Sequence, residues 1–458
     1  MMHDPIYDFI AIGLGPFNLG LACLSEPIDD LTGIFLDKNE AFDWHPGMMI
    51  EGSHLQTPFM ADLVTLADPT NPLSFLNYIK KQGRMYSFYI KESFFLMRQE
   101  YNQYCQWATQ ELSNVRFNTC VNKVTYDEGE QLYLIEANKT KTQEVIRYKT
   151  KKLVLGTGPV PFIPDSCDGV MHVASHSSTY MDDKARLQQQ KSITIVGSGQ
   201  SAAEIFYDLL QDIDTFGYQL NWVTRAPRYY PLEYSKLTLE MTSPEYVDYF
   251  HDLPAKNRDD LMKNQKHLYK GINSCLINEI YDLLYIKRLS GEVNVNMLTN
   301  ANLIAAQMDE SNQHIKLQFH QEEQDKTYQL LTQGLVLSTG YAYRSPDFLE
   351  GITHRIKWDA HGRFDVNRNY SIDHDGKGIF VQNAEAHTHG FVTPDLGMAA
   401  YRNSYLLREI TGVEHYQVET QIAFQQFDTP SSPVTPFKVL DAKHDSTASF
   451  TSIESALT

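Results

Sequence analysis

Tyr7-Asp8-Phe9-Ile10-Ala11-Ile12-Gly13-Leu14-Gly15-Pro16-Phe17-Asn18 is an apolar run that breaks into Gly-x-Gly-x-x-Asn and passes into Leu19-Gly20-Leu21-Ala22. This order predicts a strand, a tight turn and a helix start. Gly13 lets the chain turn without a Cβ clash, and Gly15 lets the backbone approach a pyrophosphate. Pro16 and Asn18 open the helix whose N-terminal dipole would face the phosphates. Such a unit needs an acid about 20 positions on, closing the second strand, to take ribose hydroxyls. Asp37, at the end of Gly33-Ile34-Phe35-Leu36-Asp37 with Lys38 beside it, fills that place. A lone Gly-x-Gly would equally suit a glycine-rich turn. Strand before, helix after and acid at this distance favour a dinucleotide site.

The pattern repeats from Lys191: Ser192-Ile193-Thr194-Ile195-Val196-Gly197-Ser198-Gly199-Gln200-Ser201-Ala202 is a second strand, turn and helix start. At the end of Leu220-Asn221-Trp222-Val223-Thr224-Arg225 the ribose-selecting position holds an arginine. Its fork suits a 2′-phosphate, which favours NADPH over NADH; the plainer alternative is a solvated loop cation. Two such sites in one chain imply two cofactors.

Length and charge agree with an enzyme of small molecules. At 458 residues two or three domains are expected. Lys and Arg number 39 against 57 Asp and Glu, a net charge of −18, which argues against a nucleic-acid surface. Cys23, Cys105, Cys120, Cys167 and Cys275 are scattered with no Cys-x-x-Cys, as expected of reduced thiols in a cytoplasmic protein. The start, Met1-Met2-His3-Asp4-Pro5, runs straight into the first strand and leaves no room for a signal peptide. No run of roughly 18 apolar residues exists to span a membrane.

Between the two turns, Trp44-His45-Pro46-Gly47-Met48-Met49 and His54-Leu55-Gln56-Thr57-Pro58 are aperiodic. Their mixture of aromatic, Met, His and Gln residues suits a loop lining a cofactor ring, or irregular packed core. Residues 72–112 read as helical and 115–155 as short strands. Gln333–Tyr341 and Gly378–Ala384 are apolar strands expected to complete the first sheet. The fold class is α/β: two Rossmann-like domains with a small, mostly helical substrate region. The first domain takes 1–165 and 333–427, the second 166–231 and 291–332, and the helical region 232–290. A small-residue tail over 428–458 is expected to fray.

These segments, in order, resemble the flavin-dependent N-hydroxylating monooxygenases of siderophore biosynthesis, the lysine and ornithine N-monooxygenase family. The resemblance covers roughly 5–410. It rests on Gly13–Asn18, Trp44–Met48, Leu55-Gln56-Thr57, Asp62-Leu63-Val64, Asn71–Leu76, His176–Tyr180, Gly197–Ala202, Ser338–Tyr341 and Thr388-His389-Gly390. It implies FAD on the first unit and NADPH on the second. A C4a-hydroperoxyflavin would transfer oxygen to a neutral primary amine, and a homo-oligomer, dimer or tetramer, is implied. Trp44, His45, Met49, Asn383 and Leu396 are then expected around the cofactors. Gln56 would lie near the flavin ring, or act as a core amide. Asn273, in Gly271-Ile272-Asn273-Ser274, aligns with a family asparagine that contacts the reacting amine; otherwise it is a helix cap. His387 and His389 lack the companions of a metal site, and no metal is expected.

Two departures bear on the substrate. Where amino-acid hydroxylases of this family carry a lysine that resembles an anchor for the α-carboxylate, this chain has Ala61. Where they often have serine and an uncharged residue, it has Gly397 and Asp395. Losing a cation and gaining an anion points to a diamine, putrescine or cadaverine, with Asp395 first candidate for the distal ammonium and Glu233 and Glu240 behind it. L-lysine or L-ornithine N-hydroxylation is the alternative. A flavin disulfide reductase would need a Cys pair, and a Baeyer–Villiger oxygenase a fuller Phe-x-Gly-x-x-x-His-x-x-x-Trp stretch than Met171–Tyr180 supplies. A flavin-binding sensor without turnover is disfavoured by the intact turns and Arg225.

Overall fold

The structure, a computed structural model, describes residues 5–309 and 313–430. The tail expected to fray lies, from 431, outside the described residues.

Ile6–Ile12 runs parallel between Gly33–Leu36 and Val145–Leu155, with Val115–Arg116 outermost. Helices cover both faces of such a sheet, so its strands are continuous apolar runs. Besides Ile6–Ile12, the strand Val145–Leu155 serves two further partners. Its first half pairs antiparallel with Leu132–Lys139, and its last three residues pair parallel with Ile379–Val381. The return of 378–384 to the first sheet is therefore as expected.

The second sheet has five parallel strands in the order Ser175–His176, Gly334–Leu337, Ser192–Val196, Gln219–Val223, Val295–Leu298. Gly334–Leu337 was expected in the first sheet; it pairs instead from Ile193↔Gly334 to Val196↔Leu337. Its four residues are all buried, and such a strand reads identically in either parallel sheet. The preceding antiparallel meander, Ala301–Asp309, His314–Gln321 and Lys326–Thr332, decides the matter. It ends with the Thr332 hydroxyl and the Gln333 N–H both donating to the Ser192 carbonyl at 3.2 Å, which delivers the chain beside Ser192–Val196. The chain leaves this sheet through the short pair Tyr341–Ala342 with Val160–Pro161.

The region 232–290 is mostly helical, as expected: Lys236–Leu239, Pro244–Asp252, Ala255–Asn264 and Ser274–Leu289. Tyr246, Val247 and Phe250 pack there on Phe391, Val392 and Met398, so this region closes over the chain that follows Ile379–Val381. Within 72–112 the three helices Phe75–Lys81, Met85–Lys91 and Arg98–Glu111 are broken by a strand, Phe95–Met97, that pairs with His54–Pro58. No helix among the described residues is long and apolar enough to cross a membrane.

Candidate active site

The two glycine turns are built alike. Gly13 has φ +89° and Gly197 φ +150°, and a Cβ would lie 2.5 Å from the Gly156 carbonyl in one and 2.3 Å from the Ser338 carbonyl in the other. Nothing lies within 4 Å of a Cβ built on Gly15, so that face of the turn is open to an approaching ligand. Asn18 braces the first turn, donating to the Gly13 carbonyl at 2.6 Å and accepting from Gln382 Nε2 at 2.7 Å. Asp37 accepts the Leu14 N–H at 2.7 Å through Oδ2 and the Asn39 N–H at 2.7 Å through Oδ1. The acid thus holds the turn in shape, and a carboxylate with two such bonds keeps lone pairs for ribose hydroxyls.

A cavity of about 1730 Å³ takes in both turns, with Gly13, Gly15, Pro16, Asn18, Asp37 and Lys38 on one side. Gly197, Ser198, Gly199, Gln200, Ser201 and Arg225 line the other, and Asn383 lies on it too. Two of its wall atoms, Ser338 Oγ and Gln382 Oε1, are buried without a hydrogen-bond partner, as expected of groups that serve a polar ligand. Arg225 is joined there by Lys263, Lys266 and Lys270. Burial, and then the charges of Lys266 and Arg225, hold the Lys270 ammonium below its usual range. Cations so crowded, in a chain of net charge −18, mark a site for an anion. Replacing Arg225 with leucine is expected to raise the KM for NADPH about 10- to 100-fold, with that for NADH little changed. An equal loss with both would show that Arg225 does not read the 2′-phosphate.

A second cavity, of about 650 Å³, adjoins the first. Trp44, His45, Gln56, Gln200, Tyr269 and Leu396 are among the residues that line both. Asp62 shapes this loop: its carboxylate accepts the N–H groups of Val64, Thr65 and Phe75 at 3.0, 2.6 and 2.7 Å. It so ties the segment after Gln56 to the helix at Phe75, whose N-cap is Ser74. Ala61 lines the cavity and is buried. The cavity's carboxylates are Glu233, Asp395 and Glu419; its one Lys or Arg among the described residues is Arg98. That guanidinium is already taken, reaching Glu204 Oε2 and Oε1 at 3.0 and 2.8 Å and the Met48 carbonyl at 2.6 Å.

Asp395 caps a short turn by accepting the Gly397 N–H at 2.8 Å, and burial pushes its carboxyl pKa up. A Cβ on Gly397 would come within 3.2 Å of Asp395 Oδ1, so glycine leaves the carboxylate room that serine would take. The departures at Asp395 and Gly397 are thus one local arrangement. Glu233 also lines the cavity but is engaged by His267 at 3.2 Å. Glu240 is not among the lining residues; its carboxylate accepts the N–H groups of Phe424 and Gln425.

At the seam, Gln200 Oε1 accepts from Gln56 Nε2 at 3.2 Å and from the Asn273 N–H at 2.8 Å, while its Nε2 donates to Glu204 at 2.9 Å. The three chain regions meet on this one amide. His45 faces the same seam, and enclosure by protein, with the Arg98 charge, pushes its pKa down to about 4. It is a neutral imidazole near pH 7.

Of the expected site residues, Met49 and Asn273 line neither cavity; Met48 takes the place expected of Met49. Asn273 caps Ser274–Leu289, its Oδ1 accepting the Cys275 N–H at 2.8 Å, and reaches the seam only through its backbone. His387 and His389 contact the backbone carbonyls of Phe364 and Arg368 at 2.7 and 3.2 Å. Sequence reading missed Arg98, Tyr269, the lysines of 263–270 and Glu419. Only the excess of Lys in Lys263–Lys270 could have signalled any of them.

The family model described as L-lysine 6-monooxygenase/L-ornithine 5-monooxygenase matches residues 5–343. The chain is 55% identical over 438 residues to a putrescine N-hydroxylase of Shewanella oneidensis, covering 96% of this chain and 86% of that one. It is 48% identical to an alcaligin biosynthesis enzyme of Bordetella pertussis, covering 94% of each. Among solved structures, an FAD-bound cadaverine monooxygenase of the desferrioxamine pathway of Erwinia amylovora superposes with TM-score 0.92 at 60% identity, over 94% of this chain and all of that one. The Kutzneria ornithine N-hydroxylase, with reduced FAD, NADP+ and L-ornithine, shares the fold with TM-score 0.81 at 24% identity, over 89% of this chain and 99% of that one. The chain belongs to the L-lysine 6-monooxygenase/L-ornithine 5-monooxygenase family.

Proposed function

We propose that this protein is an FAD- and NADPH-dependent monooxygenase that N-hydroxylates one amine of a short aliphatic diamine, putrescine or cadaverine. The carrying observation is the charge inventory of the smaller cavity: three carboxylates, and a single arginine already spent on Glu204. An amino acid would bring its α-carboxylate to a wall with no free Lys or Arg among the described residues, at a cost of several kcal/mol. A diamine brings an ammonium, which Asp395 suits. The names of the relatives in Shewanella and Erwinia agree.

FAD fits the first turn, where Gly13, Gly15 and the N-terminus of Pro16–Ser25 would hold its pyrophosphate and Asp37 its ribose. NADPH fits the second, with Arg225 and the neighbouring lysines on its phosphates. When bound, the flavin takes reducing equivalents from NADPH and performs the oxygen transfer; overall, amine, O2, NADPH and a proton give N-hydroxyamine, water and NADP+. The chain's part is to position the amine and exclude water. A free alkylamine has a pKa of about 10.4 and must arrive neutral. The seam offers it neutral groups: Gln56, Gln200 and the imidazole of His45. Asn273 joins them through its backbone N–H, which donates to Gln200, while its side chain caps the helix Ser274–Leu289.

The product is a hydroxylamine, which acylation would turn into a hydroxamate for a siderophore. We assign the enzyme to the cytoplasm, the compartment that supplies the NADPH such a role would consume. The exposed apolar face of Ser274–Leu289, with Tyr281, Tyr285, Ile286 and Leu289, supports a dimer or tetramer, which light scattering would check. The test of the function is hydroxylamine formed per NADPH oxidised, on FAD-loaded protein, with putrescine, cadaverine, lysine and ornithine. Near-stoichiometric product is expected with a diamine. Coupled turnover confined to the amino acids would sink the diamine reading.

A further inference from the structure

The helix Ala399–Thr411 ends at Gly412 (φ +76°), and the chain then crosses the smaller cavity without regular structure. Its near end is fixed to the first domain, where Tyr416 Oη donates to the Leu24 carbonyl at 2.8 Å. Gln417, Glu419 and Ile422 then line the cavity. The far end is fixed to the helical region by two carboxylates that take four successive backbone N–H groups. Glu245 Oε1 accepts those of Ile422 and Ala423 at 2.6 and 2.9 Å. Glu240 accepts those of Phe424 and Gln425 at 3.1 Å each, and Gln425 Nε2 as well at 2.9 Å. Beyond them the Phe427 ring packs 5.2 Å from Tyr246.

Four consecutive donors on two carboxylate side chains is an arrangement with a direction. Hydrogen bonds to a carboxylate are roughly twice as strong as neutral ones, so these two side chains fix which way the segment presents its N–H groups. The hydrogen bonds from the Gln425 side chain and the Phe424 N–H hold the Glu240 carboxyl below its usual range, so it is ionised near pH 7.

We infer that residues 417–425 are a strap forming one wall of the amine cavity, and that Glu240 and Glu245 are positioning residues that hold it shut. The inference rests on the reading that this cavity takes the amine. It reassigns Glu240 from a candidate partner of the distal ammonium to a fastener of the wall. With the strap released, water enters beside the reacting amine, and reducing equivalents are lost without hydroxylation. The dinucleotide cavity is untouched, because no strap residue lines it.

The experiment compares the full-length FAD-loaded protein with the Glu240→Ala/Glu245→Ala double variant, and separately with Ala423→Pro, which removes one donor from the strap itself. Hydrogen exchange over 417–427, KM for the diamine, product per NADPH and the rate of flavin reduction by NADPH are read on each. Expected are faster exchange, a KM raised on the order of ten-fold, lower coupling, and unchanged flavin reduction. A variant that is merely misfolded would lose flavin reduction too, and Ala423→Pro then carries the test alone. Exchange that stays slow in both variants overturns the clamp. Fast exchange with native KM and coupling overturns the wall. If the native protein hydroxylates no amine, the function proposed above fails, while the exchange comparison still decides whether the carboxylates hold the strap.

Discussion

Asp395→Asn is expected to lower kcat/KM for putrescine or cadaverine by roughly 30- to 150-fold, corresponding to about 2–3 kcal/mol for a lost charge partner at a largely desolvated site. The loss should fall on diamines alone. A monoamine of the same length has no distal ammonium, so the variant should treat diamine and monoamine alike where the native enzyme prefers the diamine. The pH dependence has a definite sign. Burial raises the Asp395 pKa in the free enzyme, and a bound ammonium favours the ionised form and lowers it again. Diamine binding therefore releases a proton from Asp395 when the pH is at or below that raised pKa, and affinity falls as the pH drops through it. The asparagine variant should lack that acid limb. An unchanged preference for diamines would exclude Asp395 and leave Glu233 or Glu419. Gly397→Ser is a milder probe, because its Cβ would crowd Asp395 Oδ1 at 3.2 Å.

The second large effect is structural. Arg402 and Glu385 form an ion pair at 3.1 Å with side chains only 2% and 0% exposed. Arg402 also donates to the Thr393 carbonyl at 2.7 Å and lies 4.9 Å from the Phe17 ring centroid, so it joins the first glycine turn to the loop bearing Asp395. Arg402→Leu would leave Glu385 buried and unpaired, a cost of about 3–5 kcal/mol. Burial already raises the Glu385 pKa against the opposing charge of Arg402; without that charge it rises further. A carboxyl raised in the folded state destabilises increasingly as the pH climbs from its unfolded value of about 4.3 toward its raised folded value. The deficit should thus be larger at neutral pH and shrink as the medium is acidified toward the unfolded value. Thermal unfolding of the two proteins at pH 5 and pH 7.5 would show it. Glu385→Leu with Arg402→Met should recover most of the loss, since an apolar pair removes the stranded charge. A single variant as stable as the native protein would show that solvent reaches Glu385.

What the sequence by itself determined was local in the chain. Each dinucleotide unit is a strand, a turn and a helix within some 30 residues, and the demands on Gly13, Gly15, Gly197 and the residue after the second strand follow from covalent geometry and the helix dipole. The exchange of cation for anion at Ala61 and Asp395 was legible only against the family the chain resembles, because it changes charge type. Only the tertiary structure decided matters that depend on residues far apart in sequence. Gly334–Leu337 joined the second sheet because a meander delivered it beside Ser192–Val196, not because of any residue within it. Arg98 was neutralised by Glu204 across 106 positions, and Glu240 was drawn off the cavity by Phe424 and Gln425 across 184 and 185. A side chain's type sets which partners it can accept; which of them it meets is set by packing, and packing is a property of the whole chain.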